Sequence, residues 1–178
     1  MKTRFFCLIV VLSGLLLGCK NEDKEDVVKE ETLSEKYTVS LEVVVKEDDD
    51  FQIYYTDKTS ADFNEEQSLW VKVKGSETSQ TVVFTLPEEA LPTLFRLDFG
   101  LNKEQQDITL KSIEIGYYGK KFITSGKEIA NYFRPIDDTK VDFETGIIKP
   151  IVKEGKGVEP VLYPQEVPLE KELKKLMM

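Results

Sequence analysis

Between Val39 and Tyr117 apolar and polar residues alternate with a period of two, in short runs separated by polar or proline-containing breaks. That period lays every second side chain on one face of an extended chain, so each run reads as a half-buried strand. Val39, Leu41, Val43 and Val45 alternate with Ser40, Glu42, Val44 and Lys46. Asp48-Asp49-Asp50 interrupts, and Phe51 to Thr56 resumes as a short aromatic strand. Leu69, Val71 and Val73 then alternate with Trp70, Lys72 and Lys74, and Gly75 to Ser79 reads as a turn. Val82, Phe84 and Leu86 make the next inward face, stopped by Pro87. Phe95, Leu97 and Phe99 oppose Arg96 and Asp98, and Gly100 closes that run. In the last run Ile108 and Leu110 share one parity, whereas Ile113, Ile115 and Tyr117 share the other. A switch near Lys111-Ser112 predicts a β-bulge or a bend between sheets. Six strands with almost no helical period predict an all-β, antiparallel sandwich over residues 37–125 rather than a βαβ sheet.

The final third reads differently. Residues 126–133 (GKEIANYF) predict about two helical turns, ended by the Arg134-Pro135 step. Val141 to Val152 predicts a hairpin around Glu144-Thr145-Gly146. Gly155, Gly157, Pro160, Pro164 and Pro168 mark an extended, irregular segment. Leu169, Leu173 and Leu176 recur at i, i+4 and i+7 in a lysine-rich tail, the stripe of a short amphipathic helix. It docks on the domain or serves as a membrane- or partner-binding tail. Residues 126–178 are thus expected to pack on the sandwich or to extend it.

At the other end, Met1 to Arg4 is positive and Phe5 to Leu17 is apolar apart from Ser13 and Gly14. This is the order of a secretory signal, and the run is short for a bilayer span. Leu16-Leu17-Gly18-Cys19 resembles the lipobox of bacterial lipoproteins, which prefer a small or β-branched residue where this chain has Leu17. The resemblance implies that residues 1–18 are a signal peptide and that the Cys19 thiol takes a diacylglycerol and becomes the new N-terminus. At about 0.8 kcal/mol per buried CH₂, two or three acyl chains hold a protein on a membrane essentially permanently. The plainer alternative is that Cys19 is a small residue in an ordinary signal. Lys20 to Asp26 resembles the export signal that sends Bacteroidota-type lipoproteins to the outer face of the outer membrane. Residues 19–36 also read as an acidic, flexible tether. Together these imply a lipid-anchored protein of the cell outer membrane, facing the exterior.

Charge and composition exclude more than they assign. With 24 basic and 33 acidic residues, a net of −9, nucleic acid and anionic lipid surfaces are repelled as partners. The chain has no histidine, which excludes serine–histidine and cysteine–histidine nucleophile systems and the common histidine-ligated zinc sites. Its two cysteines are Cys7, inside the signal, and Cys19, so the exported part has no internal disulfide framework. Carboxylate chemistry is what remains for catalysis. A glycosidase needs two carboxyl groups about 5–9.5 Å apart across a cleft. Among 33 acidic residues some pair always meets a distance rule, so abundance points to no particular pair. Gly155-Lys156-Gly157 lacks the spacing and the Ser/Thr of a phosphate loop. Asp48-Asp49-Asp50 offers oxygen ligands of the kind calcium takes, but without an EF-hand's glycine turn and distal glutamate it reads as an unliganded acidic loop. No catalytic residue, metal or cofactor is assigned.

From Phe51 to Ile115 the succession FQIYYT, a loop with Phe63-Asn64-Glu65, SLWVKVKG, TVVFTLP, FRLDFG and DITLKSIEI resembles the jelly-roll domains of carbohydrate-binding modules. Similar sandwiches accompany bacterial polysaccharide-assembly proteins and occur in Bacteroidota surface lipoproteins. The resemblance implies a jelly-roll-like β-sandwich that binds glycans. A pyranose stacks its C–H face on an exposed aromatic ring while polar side chains bond its hydroxyls, which makes Tyr54, Tyr55, Trp70, Tyr117 and Tyr118 candidates. Trp70 alternates with inward residues and is expected to point outward, either as a platform or packed under a loop or the C-terminal segment. Tyr54 and Tyr55 are adjacent, so one faces the core and the other the surface. Arg96 and Asp98 share a strand face and are expected to pair. Trp70, Tyr54, Tyr55, Arg96 and Asp98 are therefore the expected ligand-binding residues of a non-catalytic module. The alternatives are a structural or interaction subunit of an envelope complex and, third, a carboxylate-based glycoside hydrolase.

Overall fold

The computed structural model describes residues 35–178. The signal peptide, Cys19 and all but the last two residues of the tether lie outside the described residues.

Two antiparallel sheets face each other. The first contains β1 (Thr38–Val45), β4 (Ser76–Thr85), β6 (Ile108–Tyr117), β7 (Lys120–Ser125), β9 (Lys140–Asp142) and β10 (Ile147–Lys149). Its order is β4-β1-β6-β10-β9, with β7 also pairing β6. The second contains β2 (Asp49–Thr56), β3 (Ser68–Val73), β5 (Leu94–Phe99), β8 (Phe133–Pro135) and β13 (Val161–Pro164), in the order β3-β2-β5-β13-β8. β11 (Ile151–Lys153) and β12 (Lys156–Val158) pair with each other as a separate hairpin. The described residues thus form an all-β antiparallel sandwich with one short C-terminal α-helix.

The period-2 faces meet between the sheets. Val39, Leu41, Val43, Val45, Ile113 and Ile115 from the first sheet are buried in one core with Phe51, Ile53, Leu97 and Phe99 from the second. The parity switch is a bulge: Ser112 opposes Glu42 and Leu110 opposes Val43, so Lys111 is the extra residue. It turns Ile108 and Leu110 inward alongside Ile113 and Ile115, all four at most 2% exposed.

Three expectations need correction. Residues 76–79 are not a turn. β4 begins at Ser76, which opposes Val45 while Gln80 opposes Val43, so this polar stretch pairs with β1 through its backbone across an irregular register. Residues 126–133 do begin with two helical turns, of 3₁₀ type (Gly126–Asn131), but they end in a strand that starts at Phe133, before the Arg134-Pro135 step. Buried Phe133 fixes that strand opposite Pro164. The segment expected to be irregular is paired from 156 to 164, since β12 completes a hairpin and β13 lies between β5 and β8, and Pro168 lies in the first turn of the C-terminal helix.

The tail is α1 (Glu166–Met177). It packs against β6 and β7 of one sheet and β5 of the other, and Leu169, Leu173 and Leu176 are all buried in the common core. The leucine stripe therefore serves the fold. Among the described residues no helix is long and apolar enough to cross a membrane.

Candidate functional site

Four of the five expected ligand-binding residues share the outer face of the second sheet. Register explains why: Gln52 opposes both Trp70 and Asp98, and Tyr54 opposes both Ser68 and Arg96. Tyr55 opposes Phe95, so it points to the other face, where it packs against the core. Tyr117 and Tyr118 lie at the end of β6 and in the turn after it, on the first sheet. Tyr117 stacks on buried Tyr37 with 4.1 Å between ring centroids, and neither joins the others.

The shared face divides in two. In its middle, Gln52, Tyr54 and Asp98 are buried although their parity is outward. Their cover is the loop between β2 and β3. Phe63 of that loop meets Tyr54 and Tyr163 edge to face, and the Tyr163 hydroxyl donates to the Ala61 carbonyl. Under the loop a polar network closes on itself. The Gln52 amide donates to Glu65 Oε2 (3.1 Å) and Ser68 Oγ (3.0 Å), and the Tyr54 hydroxyl donates to Glu65 Oε1. The Arg96 guanidinium sits 4.4 Å from the Tyr54 ring centroid, a cation–π contact. It also donates to both oxygens of Asp98, from Nε at 2.9 Å and Nη2 at 2.5 Å.

Burial dominates the electrostatics. Asp98 has no solvent-exposed side-chain surface, and desolvation pushes its carboxyl up to about 7 against the pull of Arg96. Glu159 is raised too, again chiefly by burial. Tyr54 is pushed up to about 12 by burial and by its bond to Glu65, which is itself lowered by that bond. Sealed from water, Asp98 and Tyr54 present nothing to a ligand in this conformation.

The open part of the face lies at the edge strand. Trp70 is 49% exposed and looks into a hollow of about 690 Å³ lined also by Asp48, Asp49, Asp50, Lys72, Leu101 and Asn102. Leu101 is half exposed as well, so two apolar surfaces meet there. The polar rim is held in place: Lys72 Nζ reaches Asp50 Oδ1 at 3.1 Å and Lys74 Nζ reaches Asp48 Oδ2 at 2.5 Å. The Asn102 amide donates to the Asp48 carbonyl at 2.9 Å.

Asp49 points the other way and builds the floor. Its Oδ1 accepts from the backbone of Leu101 (2.9 Å) and Asn102 (3.1 Å), and its Oδ2 accepts from Gln105 Nε2 (3.0 Å). Each aspartate of the acidic triplet is thus occupied by protein donors, and among the described residues no cluster of three or more His, Cys, Asp or Glu side chains stands ready for a metal.

Leu101 and Asn102 were not foreseen in sequence, because they reach the hollow only through the turn that Asp49 closes. Gln52, Glu65 and Glu159 were missed for a related reason, as their roles depend on contacts between distant segments. Compared with family models, with curated proteins and with solved structures, the chain matches none.

Proposed function

We propose that this protein is a lipid-anchored, non-catalytic binding module of the cell envelope that takes neutral glycans in the hollow at Trp70. The observation that supports this reading is a half-exposed tryptophan on a sheet face, beside a second apolar side chain and within reach of fixed polar groups. Such a pocket pairs stacking area with a few placed hydrogen-bonding groups. The indole and Leu101 receive the C–H face of a sugar ring; Asp50, Lys72 and Asn102 bond its hydroxyls. Arg96, Asp98 and Tyr54 support the sheet behind the site and do not contact the ligand. Anchoring rests on the resemblance of Leu16-Leu17-Gly18-Cys19 to a lipobox, and display at the outer face rests on the charged run after it.

The test is a glycan array followed by isothermal titration of the chain from residue 20 onward, with Trp70→Ala as control. Binding that is lost in the variant while its unfolding free energy stays within about 1 kcal/mol of the parent, as for a surface truncation, supports the reading. No binding across a broad panel of neutral and acidic glycans overturns it and favours an interaction subunit. Metabolic labelling with a fatty acid, abolished by Cys19→Ala, tests the anchor separately.

A further inference from the structure

β4 is an edge strand: it stands at one end of the first sheet and pairs with β1 alone. Phase decides which backbone groups it leaves open. The Leu86 amide donates to the Tyr37 carbonyl at 2.9 Å, one step beyond the Thr38–Thr85 pair. Because direction alternates along a strand, Phe84, Val82 and Gln80 also turn their N–H and C=O groups to β1, and Thr85, Val83 and Thr81 turn theirs away. Among the described residues none of these outward groups has a partner. The side chains of Thr81, Val83 and Thr85 are exposed, whereas Val82 and Phe84 face the core.

The other edges of the two sheets are blunted. β8 is three residues ending in Pro135, and β9 is three residues with Lys140 and Asp142 at its ends. β7 opens on Lys120-Lys121, and β3 carries Lys72. Short length, proline and lysine are the devices that keep an edge from pairing with another chain. β4 is ten residues long and has none of them. From Thr78 to Leu86 there is no charge, proline or glycine, in a chain that is 32% charged.

We propose that β4 is a self-association edge: two copies of this chain join their first sheets by antiparallel pairing of β4 with β4 about a two-fold axis at Val83. The occupant follows from what that axis superposes. β4 is in regular register with β1 from Gln80 to Thr85 and irregular before it, where the Thr78 amide is taken by Ser76 Oγ at 3.1 Å. The straight part is thus centred on Val83. An axis there sets Val83 against its own copy and Thr81 against Thr85 of the second copy, each pair exchanging both N–H···O bonds. β-branched side chains then meet β-branched side chains on the outer face, and on the inner face Val82 meets Phe84 of the second copy. The net charge of −9 makes two copies repel in most orientations, and along this strip they approach with no like charges opposed. The contact is isologous and uses up the open edge, so it closes at two copies.

Sedimentation equilibrium of the chain from residue 20 onward, over an about hundredfold range of concentration, tests the edge. The weight-average mass should rise from that of one chain toward that of two and level there. Val83→Lys puts like charges on the axis without touching the ladder to β1. It should hold the mass at one chain throughout, with an unchanged urea midpoint. Ile123→Lys, at an apolar residue of β7 that is 57% exposed, should dimerise as the parent does. Cysteine substitutions read the register, since Cys7 and Cys19 both precede residue 20. Val83→Cys should oxidise to a covalent dimer, because hydrogen-bonded strand partners lie about 5.5 Å apart at Cα, within disulfide range. Thr81→Cys should not, because it opposes Thr85 of the second copy rather than its own counterpart. A parent that stays monomeric at every concentration overturns the proposal, as does a mass that climbs past two chains. So does a Val83→Lys chain that still dimerises, or Thr81→Cys crosslinking as readily as Val83→Cys.

Discussion

Gly100→Ala separates the two reasons a glycine can be required, and its cost is calculable. Gly100 closes β5 at φ +72°, and an added Cβ would lie 2.2 Å from the Asp49 carboxylate. The left-handed backbone alone costs an alanine about 1–2 kcal/mol. The carboxylate must also swing aside, giving up its three hydrogen bonds to Leu101, Asn102 and Gln105 at a net of about 1 kcal/mol each. The expected loss is about 4–5 kcal/mol. Gly126 is the internal control: its φ is also positive, at +52°, but nothing lies within 4 Å of its would-be Cβ. Gly126→Ala should therefore cost only the backbone component, about 1 kcal/mol. Urea unfolding at pH 7, followed by the fluorescence of the single tryptophan beside this turn, measures both. A cycle with Asp49→Ala sharpens the comparison. Once the carboxylate is gone the clash goes with it, so the two substitutions together should cost about 2–3 kcal/mol less than their sum. Equal costs for Gly100→Ala and Gly126→Ala, or strict additivity with Asp49→Ala, would refute the account of how this turn is built.

Leu173→Ala in α1 removes a fully buried side chain from the core and should cost about 3–4 kcal/mol, whereas Val167→Ala on the same helix, 77% exposed, should stay within about 0.5 kcal/mol in the same urea experiment. Asp98 gives a pH dependence with a definite sign. Its carboxyl titrates at about 7 in the fold against 3.8 when free, so the stability it contributes is complete below pH 3.8 and is lost as pH rises through 7. Between pH 5 and 8 that loss is about 2–3 kcal/mol, and Asp98→Asn should flatten the stability profile over this range. A wild-type profile as flat as the variant's would sink the idea.

The two-residue period made the sandwich legible because it reports burial on one face directly, and Val39 to Val45 carries it without a break. The Lys111 bulge was legible on the same ground, as a change of parity. Strands of three or four residues carry too little period to show by alternation: the β9–β10 hairpin was legible through its turn at Glu144-Thr145-Gly146, whereas Phe133–Pro135 and Val161–Pro164 hold prolines, which here stand only at strand ends, where a missing N–H is tolerated. Ser76 to Gln80 was hidden for another reason. Its pairing with β1 is made by backbone groups, and polar side chains leave no mark of it.

The candidate site shows the same divide at the level of single residues. Alternation says which side of a sheet a residue faces, but it does not say whether water or a second layer of protein lies there. Trp70, Tyr54, Arg96 and Asp98 have the same parity, yet only Trp70 stays half exposed, because the loop carrying Phe63 and the segment carrying Glu159 fold over the rest. Under that cover a lone carboxylate is costly, and the network answers with a guanidinium, a phenol and an amide. Such a network resists exchange for apolar residues one at a time, since each deletion leaves a partner buried and unpaired. The polar groups that read most like a ligand site in sequence are thus the ones the fold consumes. The aromatic surface left open lies at the edge of the sheet, where Trp70 meets a turn that Asp49 and Gly100 hold in place.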